Sequence, residues 1–328
     1  LFAGFTEYMP GRNRGTWSSR VSFIGNWSYP LCSLIAMGLT PLISAEWNWR
    51  VQLLIPAILS LIATALAWRY FPESPRWLES RGRYQEAEKV MRSIEEGVIR
   101  QTGKPLPPVV IADDGKAPQA VPYSALLTGV LLKRVILGSC VLIAMNVVQY
   151  TLINWLPTIF MTQGINLKDS IVLNTMSMFG APFGIFIAML VMDKIPRKTM
   201  GVGLLILIAV LGYIYSLQTS MLLITLIGFF LITFVYMYVC YASAVYVPEI
   251  WPTEAKLRGS GLANAVGRIS GIAAPYAVAV LLSSYGVTGV FILLGAVSII
   301  AAIAIATIGI ETKGVSVESL SIDAVANK

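Results

Sequence analysis

Six stretches of the chain carry no charged side chain: residues 21–45, 51–68, 135–167, 170–192, 199–248 and 269–310. About 20 apolar residues, wound as a helix, cross a ~30 Å hydrocarbon core. Each stretch therefore suits one or more membrane crossings. The two longest need turns, and "QTS" at 218–220 and "SSYGVTG" at 283–289 supply polar or glycine-bearing breaks. The pattern predicts an all-α membrane protein with eight visible spans, near 21–43, 51–71, 135–158, 170–192, 199–217, 221–247, 259–282 and 288–309. The residues before 10 read as the tail of a ninth. Composition points the same way: 56% of residues are hydrophobic and 12% charged, about half the charge of an ordinary soluble domain.

The net charge of +7 would suit a nucleic-acid partner, but the placement of the charges argues for membrane topology instead. One set of connections holds Arg12, Arg14 and Arg20, then eleven basic residues from Arg69 to Arg134, then Lys194, Arg197 and Lys198, then Lys256 and Arg258, then Lys313 and Lys328. The opposite set holds only Arg50 and Lys168. Lys and Arg concentrate on the cytoplasmic side of membrane proteins, so the first set is expected inside, together with the C-terminus. The large loop near 72–132 falls on that side. Within it Trp77, Leu78, Tyr84, Ala87, Val90, Met91 and Ile94 recur among charges, the later ones at helical spacing. This predicts an amphipathic helix against the cytoplasmic face, followed by a Pro-rich linker.

Cys32, Cys140 and Cys240 all lie in apolar spans, and the chain has no histidine. No disulfide, metal site, cofactor or catalytic constellation is expected. A membrane enzyme would need a nucleophile–base arrangement, and a channel a filter segment or rings of charge.

A short phrase is written twice. "EYMPGRNRG" at 7–15 and "EIWPTEAKLRG" at 249–259 each set a Glu three residues before a Pro, followed by an Arg-Gly pair. Glu7 and Glu249 are 242 positions apart, as are Pro10 and Pro252. Repetition on either side of a central loop implies two halves of similar build, an arrangement common among transporters, which hold substrate at the midplane between repeats. Further motifs follow in order: "PESPRWLESRGR" at 72–83, "DKIPRK" at 193–198, "PTEAKLRGSGLANAVGRISG" at 252–271 and "ETKG" at 311–314. With these the chain resembles the major facilitator superfamily, in its sugar-porter and metabolite:proton symporter group.

The resemblance implies family helices five to twelve, with the first three and most of the fourth absent. Residues 1–71 would end an N-terminal six-helix bundle, 72–132 form the cytoplasmic central loop, 133–310 a C-terminal six-helix bundle and 311–328 a cytoplasmic tail. It implies a secondary active transporter for a small polar metabolite (organic acid, aromatic or vitamin-like acid, or sugar). Such a protein works by alternating access in the cell membrane, with protons as coupling ion, the lipid bilayer as surroundings and a monomer as the working unit. A transporter-like nutrient sensor and a sugar facilitator without proton coupling stay open. By position the family's cytoplasmic latch would comprise Glu7, Arg14, Asp193, Arg197, Glu249 and Arg258, with Glu73 and Arg76 beside them. Pro196 stands where the family has Gly.

Polar residues inside spans are costly unless they face a cavity or partner. Ser22, Asn26, Tyr29 and Ser33 share one face of the first span. Asn146, Tyr150 and Asn154 share a face of the third, with Gln149 adjacent, and Tyr236, Cys240 and Ser243 form a stripe on the sixth. Arg268 lies ten residues beyond Arg258, about 15 Å deeper along a continuous helix. Asn26, Tyr29, Asn146, Gln149, Tyr150, Asn154, Tyr236 and Arg268 are the candidate substrate-cavity residues. Each taken singly is also explained by interhelical hydrogen bonding, and Arg268 by snorkelling. The stretch "MNVVQYTLINWLP" has one Gln where sugar porters carry a pair, and so resembles porters of organic acids and of aromatic or vitamin-like metabolites more than those of simple hexoses.

Overall fold

A computed structural model describes residues 14–70, 73, 75–103, 122–192, 194–252 and 255–312. Its elements are helical: α1 (Arg14–Asn26), α2 (Ser28–Leu39), α3 (Ala45–Tyr70), α4 (Pro75–Ser80), α5 (Tyr84–Thr102), α6 (Tyr123–Leu126), α7 (Gly129–Thr162), α8 (Leu167–Met178), α9 (Gly180–Val191), α10 (Arg197–Ser216), α11 (Met221–Cys240), α12 (Val247–Glu249) and α13 (Lys256–Ile308). No strand occurs among the described residues. Six helical segments there are long and apolar enough to cross a bilayer: Glu46–Tyr70, Gly129–Thr162, Leu167–Val191, Arg197–Ser216, Met221–Glu249 and Lys256–Ile308.

The differences from the expected spans have local causes. The span placed at 21–43 is divided at Trp27 into α1 and α2. Pro30 has no N–H to offer the turn before it, which breaks the hydrogen-bond ladder there. Pro182 does the same near Phe179, where α8 gives way to α9. At the other end α13 runs 53 residues, about 80 Å of helix at 1.5 Å per residue. Gly286, inside the "SSYGVTG" break, adopts φ 65° and ψ −161°, a conformation that L-residues avoid. The chain changes direction there.

The chain forms two compact units, one of Leu1–Ser18 with Ile43–Ala117, the other of Ser19–Leu42 with Pro118–Lys328. In the first, no residue in the most apolar window of α3 is buried. The amphipathic helix expected in the large loop is α5, and it packs on α4 through Leu78 and Ala87. Gly82, at φ 74°, makes the turn between them. The exposed Arg83–Glu86 pair at its start, 2.5 Å apart, draws the Glu86 carboxyl below its ordinary range.

The second unit is built on close helix contacts. α7 and the first part of α13 run side by side in parallel. A Cβ added at Gly138 would lie 3.3 Å from the Ala263 Cβ, one at Gly267 2.8 Å from the Leu142 Cβ, and one at Gly271 3.6 Å from the Asn146 Cβ. α9 meets α11 more tightly still, with a Cβ at Gly184 falling 2.2 Å from the Thr233 carbonyl oxygen. Without a hydrophobic drive between helices in lipid, small residues that let backbones approach supply the packing energy. α11 continues through a π-helical turn at Tyr241–Tyr246 into α12. Tyr241 and Tyr246 stack there with ring centres 5.1 Å apart.

Candidate functional site

Two groups of polar side chains gather in the second unit. The first lies among α2, α7, α11 and α13. Tyr29 of α2 meets Tyr236 of α11 edge to face, ring centroids 5.1 Å apart. The Tyr236 hydroxyl is buried without a well-formed hydrogen bond, beside Tyr29, Gln149 and Tyr150. One turn before Tyr150, the Asn146 amide donates to the Leu142 carbonyl at 2.7 Å while its Oδ1 is buried with no donor. Arg268 of α13 donates from Nη1 to the Tyr150 hydroxyl at 2.5 Å. Gly271, one turn above Arg268, lets the Tyr150 ring lie against the backbone of α13. Tyr29, Asn146, Gln149, Tyr150, Tyr236 and Arg268 thus form one cluster of aromatic faces, amides and a cation.

Asn26 and Asn154 stand apart from it. Asn26 spends its amide on the Ser22 carbonyl of its own helix, 2.7 Å away. Asn154 lies exposed one turn beyond Tyr150. Of the companion polar positions, Ser33 offers its carbonyl to the Thr175 hydroxyl at 3.3 Å. Ser243 bonds back to the Val239 carbonyl. Helix packing explains both.

The second group sits at the ends of α10, α12 and α13. Arg197 grips Glu249 from two nitrogens, Nε to Oε2 at 3.1 Å and Nη2 to Oε1 at 3.3 Å. Its Nη1 donates to the Met192 carbonyl. Thr312 donates to Glu249 Oε2 at 2.6 Å. Glu311 receives the backbone N–H groups of Arg197 at 2.7 Å and Lys198 at 3.1 Å, closing the N-terminus of α10. That terminus carries unsatisfied donors and partial positive charge. Pro196 takes an extended conformation (φ −56°, ψ 139°) just before it, so a proline fits where the family has Gly. Tyr246 accepts from the Ile310 N–H at 3.1 Å, tying the chain past α13 to the π turn.

Of the expected latch residues, Arg197 and Glu249 are paired directly. The Arg258 guanidinium lies over the Tyr123 ring, 5.2 Å from its centre. Glu73 is exposed in the first unit, in the electrostatic neighbourhood of Arg83. Glu7 and Asp193, and the side chains of Arg14 and Arg76, lie outside the described residues. Glu311 and Thr312 were not among the sequence candidates, although "ETKG" marked their segment. The contact joins residues 114 positions apart, and nothing in local spacing announces it.

Comparison with known proteins adds identity to this geometry. The chain is 44% identical over 306 residues to the inner membrane metabolite transport protein YdjE of Escherichia coli (strain K12), covering 93% of this chain and 67% of that protein. It is 24% identical over 273 residues to the niacin transporter NiaP of Acinetobacter baylyi, covering 83% of this chain and 60% of that one. It therefore spans between 60% and 67% of the length of these relatives. A partially occluded inward-open structure of the xylose transporter XylE from E. coli shares the fold, with a TM-score of 0.69 at 19% identity over 96% of this chain and 68% of that one. The Major Facilitator Superfamily profile matches residues 2–275, and with that match the chain belongs to the Major Facilitator Superfamily.

Proposed function

We propose that the protein is a secondary active transporter for a small organic acid, carrying it across the cell membrane by alternating access with proton coupling. In this reading the described helices make eight crossings, with Gly286 turning α13 back and α1 and α2 acting as one span. The C-terminus is cytoplasmic, and the Arg197–Glu249 end of the bundle faces inward. The observation that carries the reading is the Arg268–Tyr150 pair. A cation within a spanning helix costs about 2.5–3.5 kcal/mol at the membrane centre and is normally tied to function. Here it has an exposed guanidinium, held by a phenol and flanked by amides and tyrosine faces. A carboxylate would receive two parallel N–H bonds from such a fork, and Tyr29 and Tyr236 would cover an apolar or aromatic body. The niacin carried by one relative is an acid of that kind.

Arg197 and Glu249 are proposed as latch members, with Glu7, Arg14, Glu73, Arg76, Asp193 and Arg258 completing the set by family position. Glu311 and Thr312 join them on geometry. The test is uptake by proteoliposomes holding the full-length protein, first screened by thermal shift against organic acids and neutral sugars. Arg268→Gln should lower acid uptake at least about tenfold, the worth of one charge-assisted bond, and Tyr150→Phe less. Uptake of neutral sugars, unchanged in Arg268→Gln, would replace this reading with a sugar facilitator.

A further inference from the structure

Arg134 sits in the second turn of α7 and is only 3% exposed. Its Nε and Nη1 are buried without an acceptor. Two other buried groups at this end are likewise unbonded, Trp251 Nε1 and Ser260 Oγ. The packing of α7 on α13 brings the three to one level. Gly138 faces Ala263, Leu142 faces Gly267 and Asn146 faces Gly271, a constant offset of 125 positions that sets Arg134 opposite Gly259, the neighbour of Ser260. The Trp251 indole lies between the two helices. A Cβ at Gly259 would come within 2.3 Å of its ring, and one at Gly138 within 3.7 Å.

Burying a guanidinium without an acceptor is among the costliest arrangements a fold can adopt. Among the described residues, Glu249 is committed to Arg197 and Thr312, and Glu311 to the start of α10. What is missing is an acceptor with several oxygens. We propose that Arg134, Trp251 and Ser260 bind a phosphate-type oxyanion, either the headgroup phosphate of an acidic phospholipid or free phosphate. The planar guanidinium fork matches two phosphate oxygens, and the indole N–H and the hydroxyl serve the others from neighbouring elements. The depth fits as well. Arg134 is five residues past the start of α7, about 8 Å along the axis, within reach of the headgroup layer, which adds roughly 5–7 Å to each side of the core. Basic pockets between spanning helices are known receptors for anionic headgroups. The site shares no residue with the proposed substrate cluster or latch, so it stands or falls separately from the transport reading.

The experiment is native mass spectrometry of the intact, delipidated protein, titrated in one arm with phosphatidylglycerol and in the other with inorganic phosphate. The wild type should take up one tightly held phosphatidylglycerol or one phosphate, and the arm that binds identifies the source. Arg134→Gln should weaken that binding at least about tenfold. Trp251→Phe, which keeps a ring between Gly138 and Gly259, and Ser260→Ala should each weaken it several-fold. If Arg134→Gln does not fold, the latter two variants decide the matter. Binding of neither probe by the wild type overturns the proposal, as does equal binding in wild type and variants, and water then serves these donors.

Discussion

Replacing Glu249 by Gln removes one charge and leaves the shape of the side chain unchanged. In the native arrangement Arg197, with its side chain 7% exposed, meets a Glu249 side chain that is 35% exposed. Two of the three guanidinium nitrogens bond to the carboxylate and the third to the Met192 carbonyl. The substituted amide would present one oxygen and one NH2 group, so at least one guanidinium donor would face another donor. Breaking a fully buried ion pair from one side costs about 3–5 kcal/mol, and a charge-assisted hydrogen bond is worth about 1.5–3 kcal/mol. Because Glu249 is a third exposed, solvent screens it, and the lower range, about 1.5–3 kcal/mol, applies. At about 2–4 °C per kcal/mol for a large domain, Tm of the purified protein should fall by about 3–12 °C. A double-mutant cycle with Arg197→Gln isolates the pair from the Met192 contact. A coupling energy below about 0.5 kcal/mol would refute the claim that Arg197 and Glu249 stabilise one another. If the pair also acts as a latch, the same 1.5–3 kcal/mol shifts the conformational ratio by roughly 10- to 150-fold. Labelling of an introduced periplasmic cysteine should then slow in Glu249→Gln, whereas unchanged labelling would leave the pair a purely structural tie.

Glu311→Ala removes the carboxylate that closes α10, and should cost about 1–3 kcal/mol by loss of two charge-assisted bonds and a favourable dipole contact. Thermal unfolding should show Glu311→Gln falling between wild type and Ala, and an Ala variant as stable as wild type would remove the capping role. Gly184→Ala forces a Cβ to within 2.2 Å of the Thr233 carbonyl oxygen. Backbone cannot yield there as a side chain would, so the loss should exceed the usual 1–3 kcal/mol of overpacking and show as poor yield of folded protein. Gly201→Ala meets the Tyr241 hydroxyl at 2.4 Å instead. Its loss of Tm should be partly reversed by adding Tyr241→Phe, which shortens the clashing side chain, and no reversal would mean that α10 itself has shifted.

What the sequence made legible was set by periodicity and by charge, both of which act locally. Membrane helices announce themselves because lipid tolerates no unsatisfied backbone and few charges, so the charge-free tracts 135–167 and 170–192 mark α7 and then α8 with α9, and the tract from 199 opens in the first turn of α10. The kink at Gly286 was readable because the polar, glycine-bearing stretch "SSYGVTG" interrupts an otherwise long apolar run. The interruptions at Trp27 and Phe179 were not anticipated, although Pro30 and Pro182 were in view, because proline in a membrane helix is absorbed by neighbours as often as it breaks the ladder. For the site, helical spacing set Asn146 and Tyr150 on one face of α7 but could not tell Asn26, bonded to its own helix, from Tyr29, which reaches α11. That distinction depends on which neighbour stands opposite, and α2 and α11 are some 200 residues apart in the chain. Glu311 and Arg134 show the same limit from both sides. Glu311 opens the "ETKG" motif, which marks the segment but not its partner, and it caps a helix that begins 114 residues earlier. Arg134 reads as one more basic residue at a membrane edge, and becomes informative only when the packing of α7, Trp251 and α13 encloses it without an acceptor. A charge is judged by its partner, and partners are assigned by tertiary packing. The residues most worth mutating here are therefore those whose partners lie far away along the chain, or have yet to be found.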